Sequence, residues 1–250
     1  METKIPSASA ALTALLRADF STQWRNRRAV IMVIVVPVII VISWKGLVSK
    51  FGGSFVLANG ITIGLTSIGL LGYSNSVARD RERGIFQRLR VAPVPNWSIM
   101  ISRLVVQLAM IVITTLAVFI SGAYMDKITL TPSGYVLGFI SAIVGGAVYL
   151  GLGQAIVGRI KNEETVSAVT RLIYFVFIMV GMFSELGALP RMLTTVMKWS
   201  PYGTVKNVVF ASLQPGSWTQ QTTLYLLAML GYALVFSFLG IKWFRWNSSK

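Results

Sequence analysis

The sequence predicts an all-α membrane protein with six transmembrane helices, and three observations predict it. Of its 250 residues, 54% are hydrophobic and only 12% are charged, where a soluble domain of this length carries about 25%. The apolar residues gather into six runs, each near the ~20 residues that a helix needs to cross the hydrocarbon. The basic residues collect in short polar stretches between those runs, which is the positive-inside pattern.

Residues 7–28 come first. Ala11, Leu12, Leu15, Leu16, Phe20 and Trp24 recur near the helical period, with Arg17, Asp19 and Gln23 elsewhere. Such a helix lies in the interfacial plane with its apolar side toward lipid. No signal-peptide pattern with a small-residue cleavage site precedes it, so the first span is expected to be retained. The spans are predicted at 29–48, 55–78, 101–125, 135–157, 166–183 and 222–241. Pro37 can kink the first of them. Gly60 and Gly64 in the second span, and Gly138, Ala142 and Gly146 in the fourth, have the small-residue spacing that lets helix backbones approach closely.

Between the second and third spans lies a polar island, 79–98, with five arginines, at 79, 81, 83, 88 and 90, against Asp80 and Glu82. Hydrocarbon does not hold such a cluster, because each central Arg costs roughly 2.5–3.5 kcal/mol on insertion. Ile85, Phe86 and Leu89 share one side of a short helix, which Pro93 and Pro95 end. A basic helix with an apolar face between two spans is suited to press into a partner. Between the fifth and sixth spans, 184–221 is too apolar for a free loop yet contains Pro190, Pro201 and Pro215. Two short re-entrant external helices, broken at Pro201, account for both features. No internal repeat divides the chain, so 1–250 reads as one membrane domain.

Counting Lys and Arg orients the spans. The N-terminal stretch, the island, the 158–165 loop, the C-terminal tail, Arg103 and Arg171 put seventeen on one side, against six on the other (Lys45, Lys50, Lys127, Arg191, Lys198, Lys206). Both termini and the island are therefore expected in the cytoplasm, in a multi-pass protein of the cell membrane. A net charge of +15 would suggest nucleic acid in a soluble protein; here the topology explains it, and no nucleic-acid partner is expected.

The chain has no Cys and no His, which removes thiolate nucleophiles, imidazole bases and the commonest zinc ligands. It has no Gly-x-x-x-x-Gly-Lys-Ser/Thr phosphate loop and no mid-span pair of carboxylates of the kind that ion coupling uses. No catalytic, cofactor or metal site is predicted on this chain. Arg171 is the most membrane-embedded charge; it can snorkel, or pair with Glu163 or Glu164. Asn59, Thr62, Thr66 and Tyr73 fall near one face of the second span. They either line a translocation path or hydrogen-bond within the bundle.

Glu82-Arg83-Gly84, followed by Leu89-Arg90-Val91-Ala92-Pro93-Val94-Pro95, resembles the cytoplasmic signature of the permease subunits of type-2 ABC exporters. The resemblance extends to an amphipathic first helix, six spans, the signature after span two and an apolar helical return before span six. The sequence departs from the pattern at Ile85, where Thr is frequent, and at Gln87, where Glu is frequent. The resemblance implies two permease copies or paralogues around a path, each docked to a separate ABC ATPase subunit that holds ATP and Mg. It implies ATPase coupling through Glu82, Gly84, Ile85, Phe86, Arg88, Leu89 and Arg90, with Arg88 and Arg90 meeting carboxylates and the apolar residues filling a groove. A drug-like, lipidic or peptide substrate is implied. The competing readings are a non-transporting immunity or scaffold protein and an ion-coupled secondary carrier.

Overall fold

A computed structural model describes residues 8–91 and 96–243, and every element among them is helical. Five helices there are long and apolar enough to cross a membrane, or six if one bent pair is a single span. The bent pair is the predicted first span. Helix α2 (Arg27–Ser43) and α3 (Lys45–Phe51) meet at 61°. The bend falls at Trp44 rather than at Pro37, which stays inside α2. Pro37 instead packs on the second span, where a Cβ on Gly64 would lie 3.1 Å from its Cγ.

That second span is the central pillar. Helix α4 (Gly53–Thr66), a π-helical stretch (Ser67–Tyr73) and α5 (Ser74–Glu82) run on as one helix. Its apolar window is 89% buried inside the single chain. Both predicted small-residue stripes lie at helix contacts. A Cβ on Gly60 would come within 2.6 Å of Val41, and one on Gly138 within 2.7 Å of Leu213. Gly146 faces Ile111 with no room for a Cβ.

Around the pillar stand α7 (Asn96–Met125), α8 (Pro132–Arg159) and α9 (Glu163–Glu185), with α12 (Gln220–Trp243) packed on α8 and α11. Each overruns its predicted span by one turn or less at either end, except that α7 starts five residues early. The connections are tightly capped. Thr131 Oγ1 accepts from Gly134 N–H ahead of Pro132, and Asn162 Oδ1 accepts from Thr165 N–H at 3.0 Å. The windows of α9 and α12 are only 17% buried, so these two form the rim.

Helix α1 (Ala8–Arg25) docks on α7, with Ala11 buried. The 184–221 return forms α10 (Arg191–Trp199) and α11 (Pro201–Leu213). The break at Pro201 is where the sequence predicts it, with Ser200 Oγ accepting from Gly203 N–H at 3.1 Å. The two predicted re-entrant helices differ in burial. α10 is largely exposed, whereas α11 is buried nearly end to end, packed among α4, α8 and α12. Its Val205, Val208, Val209 and Leu213 belong to the main core.

Candidate functional site

The polar island begins as a straight continuation of the pillar. α5 ends at Glu82, and Gly84 turns the chain at φ +67°, in the left-handed region that favours glycine. Helix α6 (Ile85–Val91) follows. Pro93 and Pro95, expected to end that helix, lie outside the described residues, as do the side chains of Leu89 and Arg90.

Three consecutive residues on α5 project about 100° apart, so each reaches a different neighbour. Arg79 Nε lies 3.7 Å from Glu163 Oε1 at the start of α9. Asp80 Oδ2 takes a 2.6 Å charged hydrogen bond from Arg103 Nη2 on α7. Arg81, only 4% exposed, donates from Nη1 to Val157 O and from Nη2 to Ile160 O, both at 2.6 Å, and from Nη2 to Lys161 O at 2.7 Å. Those carbonyls close the last turn of α8 and start the loop to α9, where helix geometry leaves oxygens without intrahelical donors. A planar guanidinium fork matches them as a point-charge lysine does not.

The joint extends to α1 and α6. Arg103 stacks over the Phe86 ring, 4.6 Å from its centroid. Ser102 Oγ donates to Asp19 Oδ2. Burial pushes the Asp19 carboxyl above the ordinary carboxylate range, although the Ser102 hydrogen bond and the Arg103 charge pull it back. A polar niche of about 30 Å³ lies between α1, α5 and α7, with Asp19, Gln23, Asp80 and Arg103 on its walls. It is large enough for a water. One short basic segment is thereby tied to α7, α8 and α9, and α7 is in turn tied to α1 through Ser102.

Of the residues predicted to couple to a partner, Glu82 and Arg88 are exposed and Ile85 and Gly84 half-buried. Arg88 Nη2 reaches back to Arg83 O at 3.3 Å. Phe86 corrects the expectation: it is 3% exposed and packs beneath Arg103, so it does not fill a partner's groove in this arrangement. Arg171 is exposed, and Glu163 pairs with Arg79 instead. Arg79, Asp80 and Arg81 were legible only as a charge cluster, and nothing in their spacing names the carbonyls or carboxylates they reach.

The four candidate path residues are all buried. Asn59 Nδ2 donates to Phe55 O at 2.9 Å, Thr62 Oγ1 to Ala58 O at 2.7 Å, and Thr66 Oγ1 to Thr62 O at 2.7 Å. Tyr73 OH donates to Gln154 Oε1 on α8 at 2.7 Å. These are bonds within the bundle; of the four, Tyr73 also borders the polar niche and an apolar cavity between α7, α8 and α12.

At the opposite end, Lys206 Nζ on α11 donates to Glu185 Oε1 at the end of α9, at 2.6 Å. Lys206 also lies 5.3 Å from the centroid of Phe55 and 5.8 Å from that of Phe210. The sequence places Lys206 on the external side, in the second re-entrant helix; it is 5% exposed inside the bundle.

With this geometry in view, comparisons with known proteins agree on one relationship. YvfS of Bacillus subtilis (strain 168), a protein named as a transport permease, is 21% identical over 155 residues. That match spans 62% of this chain and 63% of YvfS. The family model described as ABC-2 type transporter matches residues 10–213, from α1 through α11. The basic joint, the pillar and the buried return all lie inside that match, and the chain belongs to the ABC-2 type transporter family.

Proposed function

We propose that this chain is the membrane-spanning half of an ATP-driven exporter. Two permease chains, identical or related, surround the path, and each docks a separate ATPase subunit that binds ATP and Mg. The substrate is a drug-like, lipidic or peptide compound. The basic joint faces the cytoplasm with both termini, in agreement with the seventeen-to-six division of Lys and Arg in the sequence. The observation that carries this reading is the set of ties at Arg79, Asp80 and Arg81 to three separate helices. A push on α6 passes through that anchorage to α7, α8 and α9 together, moving packed elements as bodies.

Glu82, Ile85 and Arg88 form the contact in this reading, with Leu89 and Arg90 further along the same helix. Phe86 braces the helix from behind, through Arg103. The test is co-expression with a candidate ABC ATPase subunit. Reversing Arg88 and Arg90 to Glu is expected to cut ATPase co-purification at least about tenfold, as loss of hot-spot arginines does, while the permease still inserts and folds. Unchanged co-purification and unchanged ATP-dependent transport in that double variant would overturn the coupling role.

A further inference from the structure

An apolar cavity lies on the flank of the bundle, beside α7 and α12. Helices α7, α8 and α12 and the end of the π-helical stretch surround a cavity of about 310 Å³, at the lower end of the ~300–1,000 Å³ of ligand sites. Leu104 and Leu108 form one wall and Ile241 the other, and all three are at least 39% exposed. The cavity therefore opens sideways between two membrane-crossing helices. Its back is closed where α8 and α12 touch. A Cβ on Gly151 would lie 3.0 Å from Ser237 N, and one on Gly240 2.7 Å from Gln154 Cγ.

We infer that this cavity holds one acyl chain of an anionic phospholipid from the leaflet at the basic end. The lining is apolar except for Ser237 and for Tyr73 and Gln154, which bond each other. A peptide backbone would find too few donors and acceptors there, and bulk water would gain little against leucine and isoleucine. A hydrocarbon chain needs none. The mouth lies at the basic end of its helices. Lys242 follows Ile241 directly, and Arg159 is the last residue of α8; both are exposed. Arg103, next to Leu104, is already paired with Asp80; among the described residues, exposed Lys242, 5.9 Å from the Phe238 ring centroid, and exposed Arg159 are the basic groups offered to the headgroup. The inference does not depend on the ATPase coupling.

The test uses the full chain in bilayers containing phosphatidylglycerol or phosphatidylcholine with a photoreactive group on one acyl chain, followed by mapping of the labelled peptides. Phosphatidylglycerol is expected to label the Leu104–Leu108 segment about fivefold more than phosphatidylcholine, from the pull of a basic residue on an anionic headgroup. It should also label that segment more than the open face at Leu116. Ala147→Trp, which fills the cavity, should abolish the excess at Leu104–Leu108 and leave Leu116 unchanged. Lys242→Glu with Arg159→Glu, both on the surface, should erase the preference between the two lipids. Equal labelling of the two segments by both lipids, in the parent and in Ala147→Trp, overturns the inference and leaves ordinary boundary lipid. Protection of the whole face by a second copy, or displacement of the label by a soluble drug-like amphiphile, overturns it as well.

Discussion

Arg81 directs a buried charge at three backbone carbonyls rather than at a carboxylate. Its value lies in what its removal uncovers. Without the guanidinium, the last turn of α8 and the loop to α9 lose their donors in a site where water enters poorly, and hydrogen bonds to charged groups contribute more than neutral ones. Arg81→Ala is expected to lower thermal stability by on the order of 3 kcal/mol, seen as a lower melting midpoint in detergent. Arg81→Lys should recover only part of that, because an ammonium cannot span three carbonyls in a fixed plane. Arg88→Ala, on an exposed side chain, should stay within about 0.5 kcal/mol of the parent. Equal melting of the Arg81 and Arg88 variants would show that the fork is incidental. Local spacing could not separate these two arginines, since neither partners nor burial leave a mark in it; only the family resemblance singled out Arg88, as a coupling residue, and nothing marked Arg81 as buried.

Among the elements, the pillar departs furthest from its sequence signal. Its length was legible because hydrocarbon thickness sets the apolar run. The π-helical stretch was not, because Ser67, Gly69 and Gly72 also suit an ordinary membrane helix. Tertiary contact explains it. Gly69 meets the backbone of Tyr149, where an added Cβ would sit 2.5 Å from the carbonyl carbon. The Gly69 carbonyl accepts from Ser74 Oγ at 2.8 Å, which satisfies an oxygen that the widened turn leaves open. Gly69→Ala must therefore push two backbones apart, and overpacking of this kind costs about 1–3 kcal/mol. Gly231, in α12, has nothing within 4 Å of an added Cβ. Gly231→Ala should leave stability unchanged or raise it by up to about 1 kcal/mol through helix propensity. Thermal unfolding of the pair checks both; a Gly69→Ala protein that melts like the parent removes close packing as the cause of the π turn.

Across the whole molecule, two polar clusters at opposite ends clasp a bundle whose middle is apolar. The five or six spans and the basic island were readable because lipid excludes charge. The helical return and its break at Pro201 were readable too; the depth of α11 inside the bundle was not, because Lys206 looks like an external charge until the fold supplies its partner. Glu185 is that partner for Lys206, and the pair fastens the end of α9 to α11. The two side chains are not equally hidden, with 7% of the lysine and 25% of the carboxylate exposed. Removing one half should therefore cost different amounts. Glu185→Gln strands a buried ammonium between Phe55 and Phe210, and an orphaned buried charge costs about 3–5 kcal/mol. Lys206→Met leaves a carboxylate that water can reach, and its methylenes keep the ring contacts, so its loss should be smaller. Combining Lys206→Met with Glu185→Leu removes both charges and should regain most of the loss, as apolar replacement of buried pairs does. Thermal unfolding of the three variants decides the matter. If Lys206→Met is the more damaging single change, the lysine does more than answer Glu185, and the clasp between α9 and α11 rests on its packing against the two phenylalanine rings.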